Sequence, residues 1–294
     1  MKILITGASG FIGKNLILHL KNSGNDCFGL IRNSSSFSFF IENKIKFFSF
    51  QNFNHIYDFC NTEKFDLIIH LATLYPSGNT LDDISSLIDS NITFGTKILE
   101  IAYLTGVKNF INTSSFFQNY ENHIYSPVNM YAATKQAFED IGQYYSDSGK
   151  LKFLSLSLVN TYGPNDERKK IFNIWKDSLK NKEIVKSTSG EQFIDILYIS
   201  DVVNAYLCLI NYIESSGEKH LNMEKYALKS SEILTLKDLA GLFEEIVGTK
   251  LKIEWGVIPY REREMMYPYN LGKNVPGWKQ QVSLKEGIKL FLDI

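Results

Sequence analysis

Residues 2–13 read Lys-Ile-Leu-Ile-Thr-Gly-Ala-Ser-Gly-Phe-Ile-Gly, and this stretch decides the fold. Positions 2–6 are β-prone and mostly apolar, glycines follow at 7, 10 and 13, and Phe11, Ile12, Leu16, Ile17 and Leu20 then recur at helical spacing. The pattern predicts a strand, a glycine turn and a helix. Glycine lets the backbone turn tightly and approach a pyrophosphate, while the helix N-terminus offers N–H groups and positive potential. Gly7, Ser9, Gly10, Phe11, Ile12 and Gly13 are therefore candidates to hold a dinucleotide.

Outward from this turn, apolar runs at 27–31, 45–50, 67–71, 107–113 and 152–158 predict further strands, with helices over 82–105 and 131–145. Strands alternating with helical crossovers predict an α/β fold, a Rossmann-type doubly wound parallel sheet. After residues 160–164 the pattern loosens into helices expected at 171–182, 198–210 and 236–247 and an irregular stretch at 259–276. At about 150 residues per domain, 294 residues suggest two domains. The expected division is a dinucleotide-binding domain, 1–163 and 195–224, and a smaller discontinuous C-terminal substrate domain, 164–194 and 225–294.

The chain balances 31 Lys and Arg against 32 Asp and Glu, leaving no field to hold a polyanion, so no nucleic-acid partner is expected. No apolar run approaches the ~18 residues of a membrane span, and no membrane partner is expected. Cys27, Cys60 and Cys208 are far apart and read as reduced thiols, as in a cytoplasmic protein. The five histidines lack metal-ligand spacing, and no metal is expected.

An acidic residue roughly 20 positions past the glycines would accept the ribose 2′-OH of NAD. That place holds Arg32, followed by Asn33 and three serines. A guanidinium pairs with a 2′-phosphate through charge-assisted bonds, so NADP(H) is expected over NAD(H).

Tyr131 and Lys135 stand four residues apart, on one helix face. A nearby ammonium stabilises a phenolate, which would let the pair exchange a proton with a carbonyl or alcohol nearer neutral pH. Ser115, at the carboxyl end of a strand, lies where such sheets hold ligands and can hydrogen-bond a keto oxygen. These three are the candidate catalytic residues.

With these motifs in place the chain resembles the extended short-chain dehydrogenase/reductase family, the NAD-dependent epimerase/dehydratase group, across nearly its whole length. His70-Leu71-Ala72-Thr73, the run Asn91 to Thr96, residues 160–164, Gly190-Glu191-Gln192 and residues 201–206 fit as well. A closer likeness, carried by residues 112–117 and 261–266, is to reductases of nucleotide-linked 4-keto-6-deoxysugars. The resemblance implies NADPH-dependent reduction of the 4-keto group of a CDP-linked deoxyhexose for a surface polysaccharide. Tyr131 is then the general acid, Lys135 bonds the nicotinamide ribose and lowers the Tyr131 pKa, and Ser115 orients the carbonyl. Leu71, Ala72 and Thr73 line the cofactor, and Ser115, Asn160, Gln192 and Arg261 bind substrate, with Arg263 and Lys186 as further phosphate candidates. A homodimer packed through helices near 82–105 and 131–145 is also implied.

The chain departs from its relatives in places. Dehydratases of the family carry Asp-Glu after the Ser/Thr, where this chain has Phe116-Phe117. Epimerases hold NAD through an acidic residue where Arg32 stands, Gln51 replaces an adenine-contacting Asp, and Ile194 replaces a diphosphate-binding arginine. The alternatives are an NAD-dependent nucleotide-sugar 4-epimerase and a non-catalytic NADP-binding sensor, which would not need Ser115, Tyr131 and Lys135.

Overall fold

β1 (Lys2–Thr6), buried at every position after the first, leads through the glycine turn into α1 (Phe11–Asn22). The computed structural model describes residues 1–75, 80–149, 151–216 and 223–294. The alternation continues through β2 (Asp26–Arg32), α2 (Ser38–Glu42), β3 (Lys46–Phe50), α3 (Phe53–Glu63) and β4 (Leu67–His70). α4 (Leu81–Ile88) and α5 (Phe94–Thr105) precede β5 (Asn109–Ser115), α6 (Met130–Asp147) and β6 (Lys152–Leu158). The remainder runs β7 (Asn160–Tyr162), α7 (Ile171–Asn181), β8 (Val185–Lys186), β9 (Phe193–Ile194), β10 (Ile196–Tyr198) and α8 (Ile199–Ser216). β11 (Glu224–Ala227), β12 (Leu234–Thr235), α9 (Leu236–Val247), β13 (Ile253–Glu254) and α10 (Leu284–Leu292) complete it.

Seven strands form one sheet in the order β11-β6-β5-β4-β1-β2-β3, every neighbouring pair parallel. This is the expected doubly wound sheet. Chain order reverses between β1 and β4, the switch point outside which such sheets hold ligands. One face buries Ile3 and Ile5 under Leu16, Ile17 and Leu20 of α1 and Leu209 of α8, and the other buries Leu4 under Ile56, Leu99 and Phe138. A third cluster, around Phe172, Trp175, Phe243, Ile288 and Phe291, joins α7, α9 and α10. Among the described residues no helix is long and apolar enough to cross a membrane.

Two features differ from the sequence expectation. The helix expected over 82–105 is broken by a π turn at Asp89–Thr93, whose wider ladder rotates Asn91 inward. β11 straddles the domain boundary expected at 224, and its residues past that point pair with β6 in the main sheet, Lys225 opposite Ser155 and Ala227 opposite Ser157. Its opening Glu-Lys pair breaks up the apolar run that marks the other strands, as an edge position allows.

Candidate active site

The glycine turn packs against the end of β4. Gly7 adopts φ +67°, and a Cβ there would sit 2.7 Å from the Ala72 backbone nitrogen; one on Gly13 would sit 2.3 Å from the Gly7 carbonyl oxygen. Only glycine fits either place. Thr6 locks the two strand ends together: its Oγ1 meets His70 Nδ1 at 2.9 Å and accepts from the Ala72 N–H at 3.2 Å. Gly10 is the exposed N-cap of α1 and carries no side chain to obstruct a ligand. Backbone, helix end and switch point thus fit a dinucleotide pyrophosphate.

Arg32 ends β2 opposite Phe50 and is exposed, beside Asn33, which accepts from the Ser49 hydroxyl. Asn33, Ser49 and Gln51 line one groove at the ends of β2 and β3.

Ser115 closes β5 and is buried; its Oγ accepts from the Phe117 N–H at 3.3 Å. Across from it, α6 is capped by Asn129, whose side chain accepts from the Ala132 N–H at 3.0 Å and fixes the first turn. The Tyr131 hydroxyl from this turn faces the side chains of Ser115 and Thr73, which lower its proton affinity. Lys135, one turn further along, is 3 % exposed and lies within the electrostatic reach of His70 and Glu139. Asn91 braces the site from the π turn: its Oδ1 accepts from Thr73 Oγ1 at 3.0 Å and the Leu74 N–H at 2.7 Å. Its Nδ2 donates to Leu74 O and Thr134 Oγ1, both at 3.0 Å, so the segment after β4 is pinned to α6.

Burial controls the local proton affinities. It pushes the Tyr131 phenol up to about 12, opposed by the Thr73 and Ser115 hydroxyls, while neighbouring Tyr75 adds to the rise. Burial pulls the Lys135 ammonium down to about 8, opposed by Glu139. In this environment desolvation holds the phenol above its ordinary value. Burial also pulls His70 down to about 3, with Lys135 adding to the fall, so His70 is a neutral packing residue bonded to Thr6.

The other expected substrate residues all follow β6. Asn160 Nδ2 donates to the Asp195 carbonyl at 3.0 Å, and Gln192 is buried, its amide bonded to Thr188. Arg261 is exposed and close enough to Lys170 to depress it. Arg263 is not a free phosphate ligand: its guanidinium donates to Pro127 O at 3.0 Å and Ser126 Oγ at 2.6 Å and lies 4.3 Å over the Tyr120 ring. Lys186 lies in β8, opposite Glu254.

The sequence profile of the NAD dependent epimerase/dehydratase family matches residues 3–223. The chain belongs to this family. A CDP-abequose synthase of Salmonella typhimurium is 30 % identical over 99 % of this chain and 97 % of that protein, and one from Yersinia pseudotuberculosis is 28 % identical over 94 % of each. Solved structures share the fold. A UDP-glucose 4-epimerase from Thermotoga maritima, with UDP-glucose, superposes with a TM-score of 0.85 at 22 % identity, covering 100 % of this chain and 98 % of that one. One from Stenotrophomonas maltophila, with NAD and formylated UDP-arabinopyranose, reaches 0.87 at 16 % identity, covering 100 % and 97 %. Membership of the epimerase/dehydratase family makes the chain an NAD(P)-dependent oxidoreductase-type enzyme.

Three site residues carry no functional mark in the sequence. Tyr75 meets Tyr131 and also stacks on Phe117, ring centroids 6.4 Å apart at 26°. Lys170 lies 5.1 Å over the Tyr75 ring, its ammonium depressed by burial and by Arg168. Asn91 stands in the run 91–96 that fits the family. Its spacing carries no hint of the four bonds it makes.

Proposed function

We propose that the chain is an NADPH-dependent reductase of the 4-keto group of a CDP-linked deoxyhexose. It works as a cytoplasmic homodimer and supplies an O-antigen-type surface polysaccharide. The observation that carries this reading is the convergence of the Tyr131 hydroxyl with the side chains of Ser115 and Thr73, in surroundings that hold its proton affinity above the ordinary phenol value.

A bound nicotinamide coenzyme supplies the hydride for such a reduction. The residues of this chain do the rest. Ser115 Oγ hydrogen-bonds the keto oxygen as negative charge develops there, and Tyr131 Oη gives that oxygen its proton, so the carbonyl becomes a secondary alcohol. With its affinity pushed up to about 12, Tyr131 holds the proton through the physiological range, as a donor must. Lys135 bonds the coenzyme ribose, Gly7, Gly10 and Gly13 admit the pyrophosphate, and Arg32 pairs with the 2′-phosphate that distinguishes NADPH.

The aromatic wall of Phe117 and Tyr75 offers no carboxylate beside the reacting carbon, which weighs against water elimination. Near-full-length likeness to CDP-abequose synthases supports a CDP-linked sugar, held by Asn160, Gln192 and Arg261. The test is incubation with a panel of nucleotide-linked 4-keto-6-deoxysugars while NADPH absorbance is followed. Consumption with a CDP-linked member is expected. Interconversion of 4-epimers without net consumption would favour the NAD-dependent epimerase, and binding of NADPH without turnover of any member would favour a sensor.

A further inference from the structure

Glu139 lies one helical turn beyond Lys135 on α6 and is 2 % exposed. A buried carboxylate is costly unless its oxygens are bonded, and this one is bonded from three elements. It accepts from Ser155 Oγ of β6, from Lys225 Nζ of β11 at 2.7 Å and from Gln118 Nε2 at 3.2 Å. Gln118, 4 % exposed, reaches the other way with its carbonyl, which accepts from the Ser115 N–H at 3.2 Å and from the Ser114 hydroxyl. Its amide nitrogen also donates to Gln136 Oε1 at 2.9 Å, a second anchor on α6. Ser155 in turn accepts from Asn112 Nδ2 of β5 at 2.9 Å.

We infer that Gln118 and Glu139 are positioning residues, Gln118 holding the Ser115 turn in register with Tyr131 and Glu139 supplying the counter-charge to Lys135. The inference rests on the catalytic roles proposed above for Ser115, Tyr131 and Lys135. Ser115 sits on the end of a strand and Tyr131 on the start of a helix, so their facing geometry depends on what ties the two elements together. Gln118 is a direct tie, and Glu139 is its fixed end. The titratable groups facing Lys135 are Glu139 and Tyr131 on α6 and His70 on β4; His70 is neutral, and Tyr131 is protonated. Glu139 is thus the anion opposing the desolvation of Lys135, while Lys225 on the solvent side keeps the carboxylate oriented.

The two roles separate by mutation. Glu139→Gln removes the counter-charge, so the midpoint at which Lys135 loses its proton is expected to move about one pH unit or more lower, and the alkaline limb of kcat with it. Gln118→Met leaves the charge and cuts the tie, so kcat is expected to fall roughly tenfold with the Lys135 midpoint unmoved. The midpoint is read directly by NMR on protein labelled at lysine Cε and Nζ, with Lys135 assigned through Lys135→Met. This readout needs no substrate. A wild type inactive on every sugar would therefore overturn the proposed function, while the titration would still decide the counter-charge. An unchanged Lys135 midpoint in Glu139→Gln, or unchanged kcat in Gln118→Met, overturns the corresponding role. Should Glu139→Gln fail to fold, Glu139→Asp keeps the charge and is expected to keep the midpoint within a few tenths of wild type; a drop as large as that expected for Glu139→Gln overturns the assignment.

Discussion

The Tyr75 ring meets the Tyr131 ring edge-on, centroids 4.8 Å apart and planes at 84°. Edge-to-face contact places the positive rim of one ring on the negative face of the other and covers part of the Tyr131 ring. Tyr75→Phe keeps that contact and is expected to keep turnover. Tyr75→Ala opens the site to water and is expected to lower kcat roughly tenfold, about 1.4 kcal/mol of barrier. Steady-state rates of the two variants, with circular dichroism to confirm folding, check the difference.

Arg32 stands exposed at the end of β2, where the second ribose of a dinucleotide is expected. Arg32→Ala removes the partner of a 2′-phosphate and is expected to weaken NADPH binding about 10- to 100-fold while leaving NADH affinity unchanged. Fluorescence titration with both coenzymes measures the ratio. Equal affinities in the wild type would remove the argument for NADPH.

Lys135 has a proton affinity pulled from 10.5 down to about 8 by burial. Its charged form predominates below that midpoint, so turnover that needs the ammonium is expected to decline as pH rises through about 8. The sign for stability is opposite. Between the folded and unfolded midpoints the unfolded chain binds more protons, so this group makes stability rise with pH across that window. Lys135→Met removes the buried charge and is expected to raise the melting temperature at pH 7 by about 2–4 °C, for roughly 1 kcal/mol, while abolishing most turnover. Thermal melts at pH 7 and pH 10 test it, and the gain should shrink at the higher pH.

Gly13 and Gly241 make a matched pair of glycine substitutions. A Cβ on Gly13 would meet fixed backbone at Gly7 and Ala8, whereas one on Gly241 meets nothing within 4 Å. Gly13→Ala is expected to cost about 1–3 kcal/mol and to weaken coenzyme binding. Gly241→Ala, in the interior of α9, is expected to stabilise by about 0.5–1 kcal/mol. Denaturant midpoints of both variants give the comparison.

The glycine turn and the central parallel strands were legible because burial on both faces writes itself as uninterrupted apolar runs such as Leu67 to Ile69. β11 escaped because Glu224 and Lys225 occupy a sheet edge, where polar side chains are tolerated. The π turn escaped because its advantage lies in what Asn91 reaches, on Thr73, Leu74 and Thr134, and not in local propensity. Local sequence marked Tyr131, Lys135 and Ser115, since their spacing and strand-end position carry the signal. Tyr75 and Lys170 come together across 95 positions of chain, and no motif links them. Arg263 was legible as a cation but not as a brace, because its partners Ser126 and Pro127 lie more than 130 residues earlier.

Hydride destination is the most direct test of the proposed chemistry. Wild type and Tyr131→Phe are each given a CDP-linked 4-keto-6-deoxyhexose and NADPH deuterated at the transferable position of the ring, and the sugar product is analysed by NMR. Deuterium is predicted at C4 of the product alcohol from the wild type, with the Tyr131→Phe rate down about 10²- to 10⁴-fold and its NADPH affinity intact. Deuterium at another carbon, none from the wild type, or an undiminished rate in Tyr131→Phe would contradict it.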